Sequence, residues 1–133
     1  MSNFMSGVFP ILSTPFDSND NIIFNDVQSE VEYAIDSGVS GIAIALASEI
    51  YKLTDSERDD LLKKVVNYSN NRIKVCMNTS AESTKICIEY SKKAQDFGAD
   101  AVMIAPPAFG GIDSSEIKKY FINVAESIEI PIF

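Results

Sequence analysis

Apolar positions along this chain fall into two alternating kinds of stretch. Short, nearly continuous apolar runs recur about thirty residues apart: "GVFPIL" (7–12), "GIAIAL" (41–46), "RIKVCMN" (72–78), "ADAVMIA" (99–105) and "IPIF" (130–133). Their length and flanking turn residues predict buried β-strands. Between them the apolar residues take a helical spacing. From Asp26, Val27, Val31, Ala34 and Ile35 fall on one helix face, and Ser37-Gly38 ends it with a glycine suited to the left-handed cap. Thr54 and Glu57 form a T-x-x-E capping box, with Asp55 in the first turn, ahead of a stripe of Leu61, Leu62, Val65 and Val66 that runs to Asn70-Asn71. A third helix is predicted over about 81–97 on Ile86, Tyr90, Ala94 and Phe97, closed by Gly98. A fourth is predicted over about 114–128 on Ile117, Phe121, Val124 and Ile128, capped by Asp113 or Ser114.

The order is therefore βαβαβαβαβ. A faint repeat supports it: "SGVSGIAIAL" and "FGADAVMIAP" lie sixty residues apart, each a helix end, a glycine and a strand. Strands apolar on both faces need cover on both, which helices supply in parallel α/β folds. Two architectures meet that need, an open doubly wound sheet and an arc of a (β/α)8 barrel. The segment after the first run, "STPFDSNDN", is turn-rich, and no GxGxxG or GxxxxGK[ST] motif occurs anywhere. The paired glycines Gly110-Gly111 read as a flexible loop rather than a phosphate cradle. Periodicity alone leaves barrel and open sheet both standing.

Composition narrows the chemistry. The chain has 133 residues, enough for one domain with a real core, and 46% of them are hydrophobic. The net charge of −8 argues against nucleic acid or an anionic membrane as a partner. Histidine is absent, which excludes His-based acid/base catalysis, Ser-His or Cys-His nucleophiles within this chain, and His-ligated metals. Cys76 lies in an apolar run and Cys87 in a helical pattern; both read as small core residues, and neither sits in a CxxC pair. The expected setting is a reducing cytoplasm. No basic start leads into an apolar signal core, and no apolar run approaches spanning length.

Four segments carry a family resemblance. "STPF" (Ser13 to Phe16) follows the first strand. "SEIYKLTDSER" (Ser48 to Arg58) joins a strand end to the capped helix. "GADAVMIAPP" (Gly98 to Pro107) runs through the fourth strand, and "IPIF" opens a fifth. In this order and spacing the chain resembles the N-terminal half of the dihydrodipicolinate synthase / N-acetylneuraminate lyase family. The resemblance implies a (β/α)8 barrel acting on pyruvate-like 2-oxo acids through a lysine Schiff base, as a carbon-carbon or carbon-oxygen lyase. It implies about four βα units and the start of the fifth strand, so that 1–133 would be one N-terminal part of a barrel domain whose C-terminal half is absent. A complete barrel takes roughly 250 residues. By the same resemblance the Schiff-base lysine lies outside this chain, which is then expected to be inactive alone and to carry no catalytic residue. No metal or cofactor is expected, and a homo-oligomer is.

The site residues implied stand at the C-terminal strand ends. Thr14 follows the first strand, Ala47, Ser48 and Glu49 the second, and Phe109 the fourth; these are the candidate substrate-binding residues. Asn78 and Thr79 follow the third. The chain departs from the family where its GTTGE-like loop reads Ala45-Leu46-Ala47-Ser48-Glu49, so both threonine hydroxyls are missing, although backbone N–H groups near Ala47 and Ser48 remain to hold a carboxylate. It departs again at Ala108, where the family often has a tyrosine that reaches across a dimer interface. Glu49 reads first as a residue shaping its own loop. Tyr51 suits either a substrate or a subunit contact, and Phe109 either a pocket wall or rim packing. Lys63, Lys64, Lys118 and Lys119 read as solvated helix-surface residues, and Asp59 and Asp60 as a polar helix face. The alternative to an enzyme part is a non-catalytic half-barrel that self-associates through its open edges.

Overall fold

A computed structural model gives the fold and describes residues 5–108, 111 and 113–133. Three strands form one parallel sheet in sequential order: β1 (Gly41–Ile44), β2 (Lys74–Asn78) and β3 (Ala101–Met103). Four helices alternate with them: α1 (Phe24–Asp36), α2 (Asp55–Ser69), α3 (Thr84–Asp96) and α4 (Ser114–Ala125). Two short 3₁₀ turns, Leu46–Ser48 and Ile50–Lys52, occupy the loop after β1.

The first and last predicted strands are present as single parallel bridges rather than ladders. Ile11 pairs with Ala43, and Ile132 with Val102. Each carries a proline, Pro10 or Pro131, whose nitrogen has no proton to donate, so only alternate backbone groups engage. Leu12 N–H donates to Ala43 O at 2.9 Å and Phe133 N–H to Val102 O at 2.9 Å. All five apolar runs therefore stand side by side in chain order. A doubly wound sheet reverses its strand order at a switch point; no reversal occurs among the described residues.

Strand alternation sorts the apolar residues by size. Ile42, Ile44, Val75, Met77, Val102 and Ile104 face the helices and join Val27, Val31, Leu61, Leu62, Val65 and Val124 in the main core. The opposite face carries Ala43, Cys76 and Ala101, against which Met5 and Met103 pack.

Local signals set the helix ends. The Thr54–Glu57 box closes in both directions: Thr54 N–H donates to the Glu57 carboxylate at 2.8 Å and Glu57 N–H to Thr54 Oγ1 at 3.3 Å. Asn70 and Asn71 both take left-handed backbone where α2 stops. Asp113 caps α4 by accepting from Ser115 and Glu116 N–H.

The stripe of α3 differs from expectation. Cys87, Ser91 and Ala94 are its buried residues, while Ile86 is 43% exposed and Tyr90 and Phe97 are half-buried. Ser91 is accommodated because its hydroxyl meets that of Thr79 at 2.9 Å. The helix is thereby rotated, and Ile86 and Tyr90 turn toward the loops.

Candidate functional site

The loops at the carboxyl ends of the strands gather the candidate residues on one rim. Thr14 and Ser48 meet directly. Thr14 Oγ1–H donates to Ser48 O at 2.6 Å, and Ser48 Oγ–H donates to Leu12 O. Ala45 N–H donates back to Ser48 Oγ at 3.1 Å. Both residues are buried, Ser48 fully. Two hydroxyls thus tie the loop after β1 to the first apolar run, and Ser48 N–H is itself spent on Ala45 O.

Leu46 and Ala47 are exposed on the turn that this latch supports. Glu49 is half-buried in left-handed backbone, with φ 60°, and its carboxylate pairs with Lys52 at 2.5 Å. The sequence leads one to expect Glu49 to shape its loop by hydrogen-bonding nearby backbone; among the described residues its carboxylate meets Lys52 instead. Phe109 and Gly110 lie outside the described residues.

The loop after β2 is heavily tied. Asn78 Oδ1 accepts from Ser80 N–H at 3.1 Å, and Asn78 O accepts from the Arg58 guanidinium at 3.2 Å. Thr79 N–H reaches Met103 O, and Ser80 Oγ accepts from Ala105 N–H at 2.7 Å. The Glu82 carboxylate accepts from Ala108 N–H, which joins this loop to the one after β3.

Between these loops and the first turns of α2 and α3 lies an open cleft of about 660 Å³. Leu46, Tyr51, Ile86 and Pro106 give it an apolar lining, and Arg58 and Glu82 place opposite charges on it. Arg58 is only 7% exposed. Its guanidinium stacks over the Tyr90 ring at 4.2 Å, and the Tyr90 hydroxyl donates to Asp55 at 2.7 Å. That hydrogen bond to a carboxylate holds the Tyr90 phenol above its ordinary value, with burial adding to it. Of the positions that depart from the family pattern, Leu46 and Ala108 line this cleft.

Sequence reading missed Arg58 and Tyr90. Arg58 falls in a polar helix start, and Tyr90 fits the expected core stripe of α3. The available signal was an arginine between Glu57 and Asp59 in the first turn of α2 and a tyrosine next to Glu89 in the middle of α3. Among the described residues, no group of three or more His, Cys, Asp or Glu is placed to hold a metal ion.

Parallel strands in sequential order, helices on one face and a rim of loops at the carboxyl ends define an α/β protein of the kind that places ligands at that end. The sequence profile of the Dihydrodipicolinate synthetase family matches residues 4–133, and the chain belongs to that family. The 4-hydroxy-tetrahydrodipicolinate synthase of Methanococcus vannielii is 33% identical over 129 residues, covering 96% of this chain and 44% of its own length. A crystal structure of dihydrodipicolinate synthase from Bacillus anthracis superposes with a TM-score of 0.88 at 32% identity, over 95% of this chain and 44% of that one. A chloride-inhibited dihydrodipicolinate synthase from Acinetobacter baumannii, complexed with pyruvate, gives 0.91 at 26% identity over 95% and 44%. The chain therefore spans less than half the length of the relatives it matches.

Proposed function

We propose that this chain supplies the N-terminal part of a (β/α)8 barrel lyase of the class I aldolase type. In this reading it builds half of a pocket for a pyruvate-like 2-oxo acid, and the Schiff-base lysine lies outside it. The carrying observation is the sequential parallel order with the family's segments standing at the strand ends. A relative complexed with pyruvate supports the ligand class. The lysines of this chain support the placement of the amine elsewhere. An amine active as a Schiff-base nucleophile is desolvated or set beside another cation, whereas Lys63, Lys64, Lys118 and Lys119 are exposed and Lys52 is paired with Glu49.

Within that pocket the loop after β1 acts through its backbone. Thr14 and Ser48 have their hydroxyls committed to main-chain carbonyls and serve as supports for the wall. Ser48 N–H is also committed, so of the two residues expected to offer a backbone donor, Ala47 is the one whose N–H serves a ligand carboxylate in this reading. With Leu46, Ala47 and Ala108 apolar, these positions move no proton, and the pocket favours a less polar partner substrate than a hydroxyl-lined one. Two buried free thiols, Cys76 and Cys87, suit a reducing cytoplasm.

Borohydride reduction with pyruvate, read by mass spectrometry, tests this reading. The chain alone should form no reduced adduct, while the same chain supplied with a family C-terminal half should trap pyruvate on a lysine of that half. An adduct on any lysine of the present chain overturns the assignment.

A second reading, self-association, rests on a separate observation. Leu46 and Tyr51, 64% and 54% exposed, cluster with Ile86 about the cleft, and Val8 and Ile11 leave apolar surface on the first run. Sedimentation should show a concentration-dependent oligomer that Leu46→Glu or Ile11→Glu weakens. A monomer at every concentration removes this reading.

A further inference from the structure

The strongest unexplained group beneath the rim is a buried phenol. Tyr120, on α4, is 4% exposed and lies thirty-nine residues from the backbone it touches. Its hydroxyl donates to Ala81 O at 2.9 Å and accepts from Ala81 N–H at 3.4 Å. One side chain therefore engages both polar groups of a single peptide position, in the segment between Ser80 and Glu82 that lines the cleft. Burial, and the Cys87 thiol beside it, hold the phenol protonated far above its ordinary range, so it remains a donor at any working pH. The ring packs edge-on against Phe121 at 5.5 Å.

The neighbouring ties explain why Ala81 needs this partner. Thr79 is anchored to β3 and to Ser91, Ser80 to Ala105, and Glu82 to Ala108. Ala81 has a methyl side chain and cannot anchor itself. We propose that Tyr120 is a positioning residue for the cleft wall: it fixes the 80–82 backbone from beneath, so that Ser80 and Glu82 present their side chains at set positions. Its importance to catalysis rests on the function proposed above; its action on the wall does not. The two can therefore fail separately.

Amide hydrogen exchange and nitrogen-15 NMR of this chain, unaltered and as Tyr120→Phe, provide the test. The phenyl ring keeps the packing and removes only the hydroxyl. The Ala81 amide should exchange about five- to thirtyfold faster and shift in resonance, since one to two modest hydrogen bonds are lost. Val75 and Val102 amides in the strands should keep their protection. An unchanged Ala81 amide, or equal acceleration at Val75 and Val102, overturns the proposal, the latter because it marks a purely global loss. Should Tyr120→Phe not fold, the unaltered chain still decides: a slowly exchanging Tyr120 hydroxyl proton with a cross-peak to the Ala81 amide supports the proposal, and its absence overturns it.

Discussion

The two faces of the sheet are built on different principles. Toward the helices the strands send Ile42, Ile44, Val75, Met77 and Val102, side chains that fill volume and interlock with four helices. On the other face the same strands send Ala43, Cys76 and Ala101, with Met5 and the partly buried Met103 of β3 packed against them. The first face is a core in which shape decides stability. The second is a thin floor, where little volume is enclosed and an open hollow of about 290 Å³ lies beside Phe9 and Cys76. Alternate positions of one strand can therefore differ severalfold in what they contribute to stability.

The largest effect should come from the helix face. Ile44→Ala, at 0% exposure, should lower unfolding free energy by about 3 kcal/mol in urea titrations, against about 1 kcal/mol for Cys76→Ala on the floor. Equal losses would erase the distinction. Next comes the hydroxyl latch at the rim. Ser48→Ala strands the Leu12 carbonyl and the Ala45 amide in a buried place and should cost about 2 kcal/mol. Its loss should also quicken amide exchange around 45–49 before the strands respond.

A smaller effect belongs to the surface. Thr54→Ala should cost about 1 kcal/mol through the lost cap. Hydrogen bonds from the Thr54 side chain and then its backbone hold the Glu57 carboxyl below its ordinary 4.5. Because the folded value is depressed, that contribution is present above pH 4.5 and is lost as pH falls through the lower folded value. Acid titrations of Thr54→Ala should be flatter there than those of the unaltered chain.

The thiols give a fourth test, at the opposite end of the pH scale. Burial pushes Cys76 up to about 12 from 9.0, and Cys87 upward as well. A raised folded value means that stability is complete below pH 9 and declines as pH rises from about 9 toward 12, since the unfolded thiols ionise first. Cys76→Ala should flatten that decline, and both thiols should resist alkylation until the chain unfolds. The smallest change is expected at Tyr33, 76% exposed on α1, where Tyr33→Ser should stay within about 0.5 kcal/mol by thermal melting.

These contrasts also mark what the sequence could disclose. The cap of α2 was legible because its partners lie three residues apart, and the Asn70-Asn71 stop because left-handed backbone favours asparagine. The α3 stripe was not. Ser91 reads as a surface residue until Thr79, twelve residues back and in another element, is seen to meet its hydroxyl. Pro10 and Pro131 allowed the outer runs to be read as strands but reduced each to a single bridge. At the rim, sequence placed Thr14 and Ser48 correctly at strand ends, yet their partners are backbone groups up to thirty-six residues away. Which of their atoms remained available to a ligand depended on that distant pairing. Arg58 was hidden for the same reason: its burial under Tyr90 and beside Asn78 joins three elements.

The contact between Thr14 and Ser48 has a further consequence for divergence. The two residues are tied unequally: Thr14 bonds a main-chain carbonyl that any residue at position 48 supplies, whereas Ser48 reaches Leu12 O and Ala45 N–H through its own side chain. Ser48 stands where the family motif has glycine, and any return to that glycine would leave the Leu12 carbonyl without its donor. Thr14 should therefore keep its partner whatever residue stands at 48, and a graft of the family's threonine loop into this chain can leave Thr14 in place but has to give the Leu12 carbonyl a new donor.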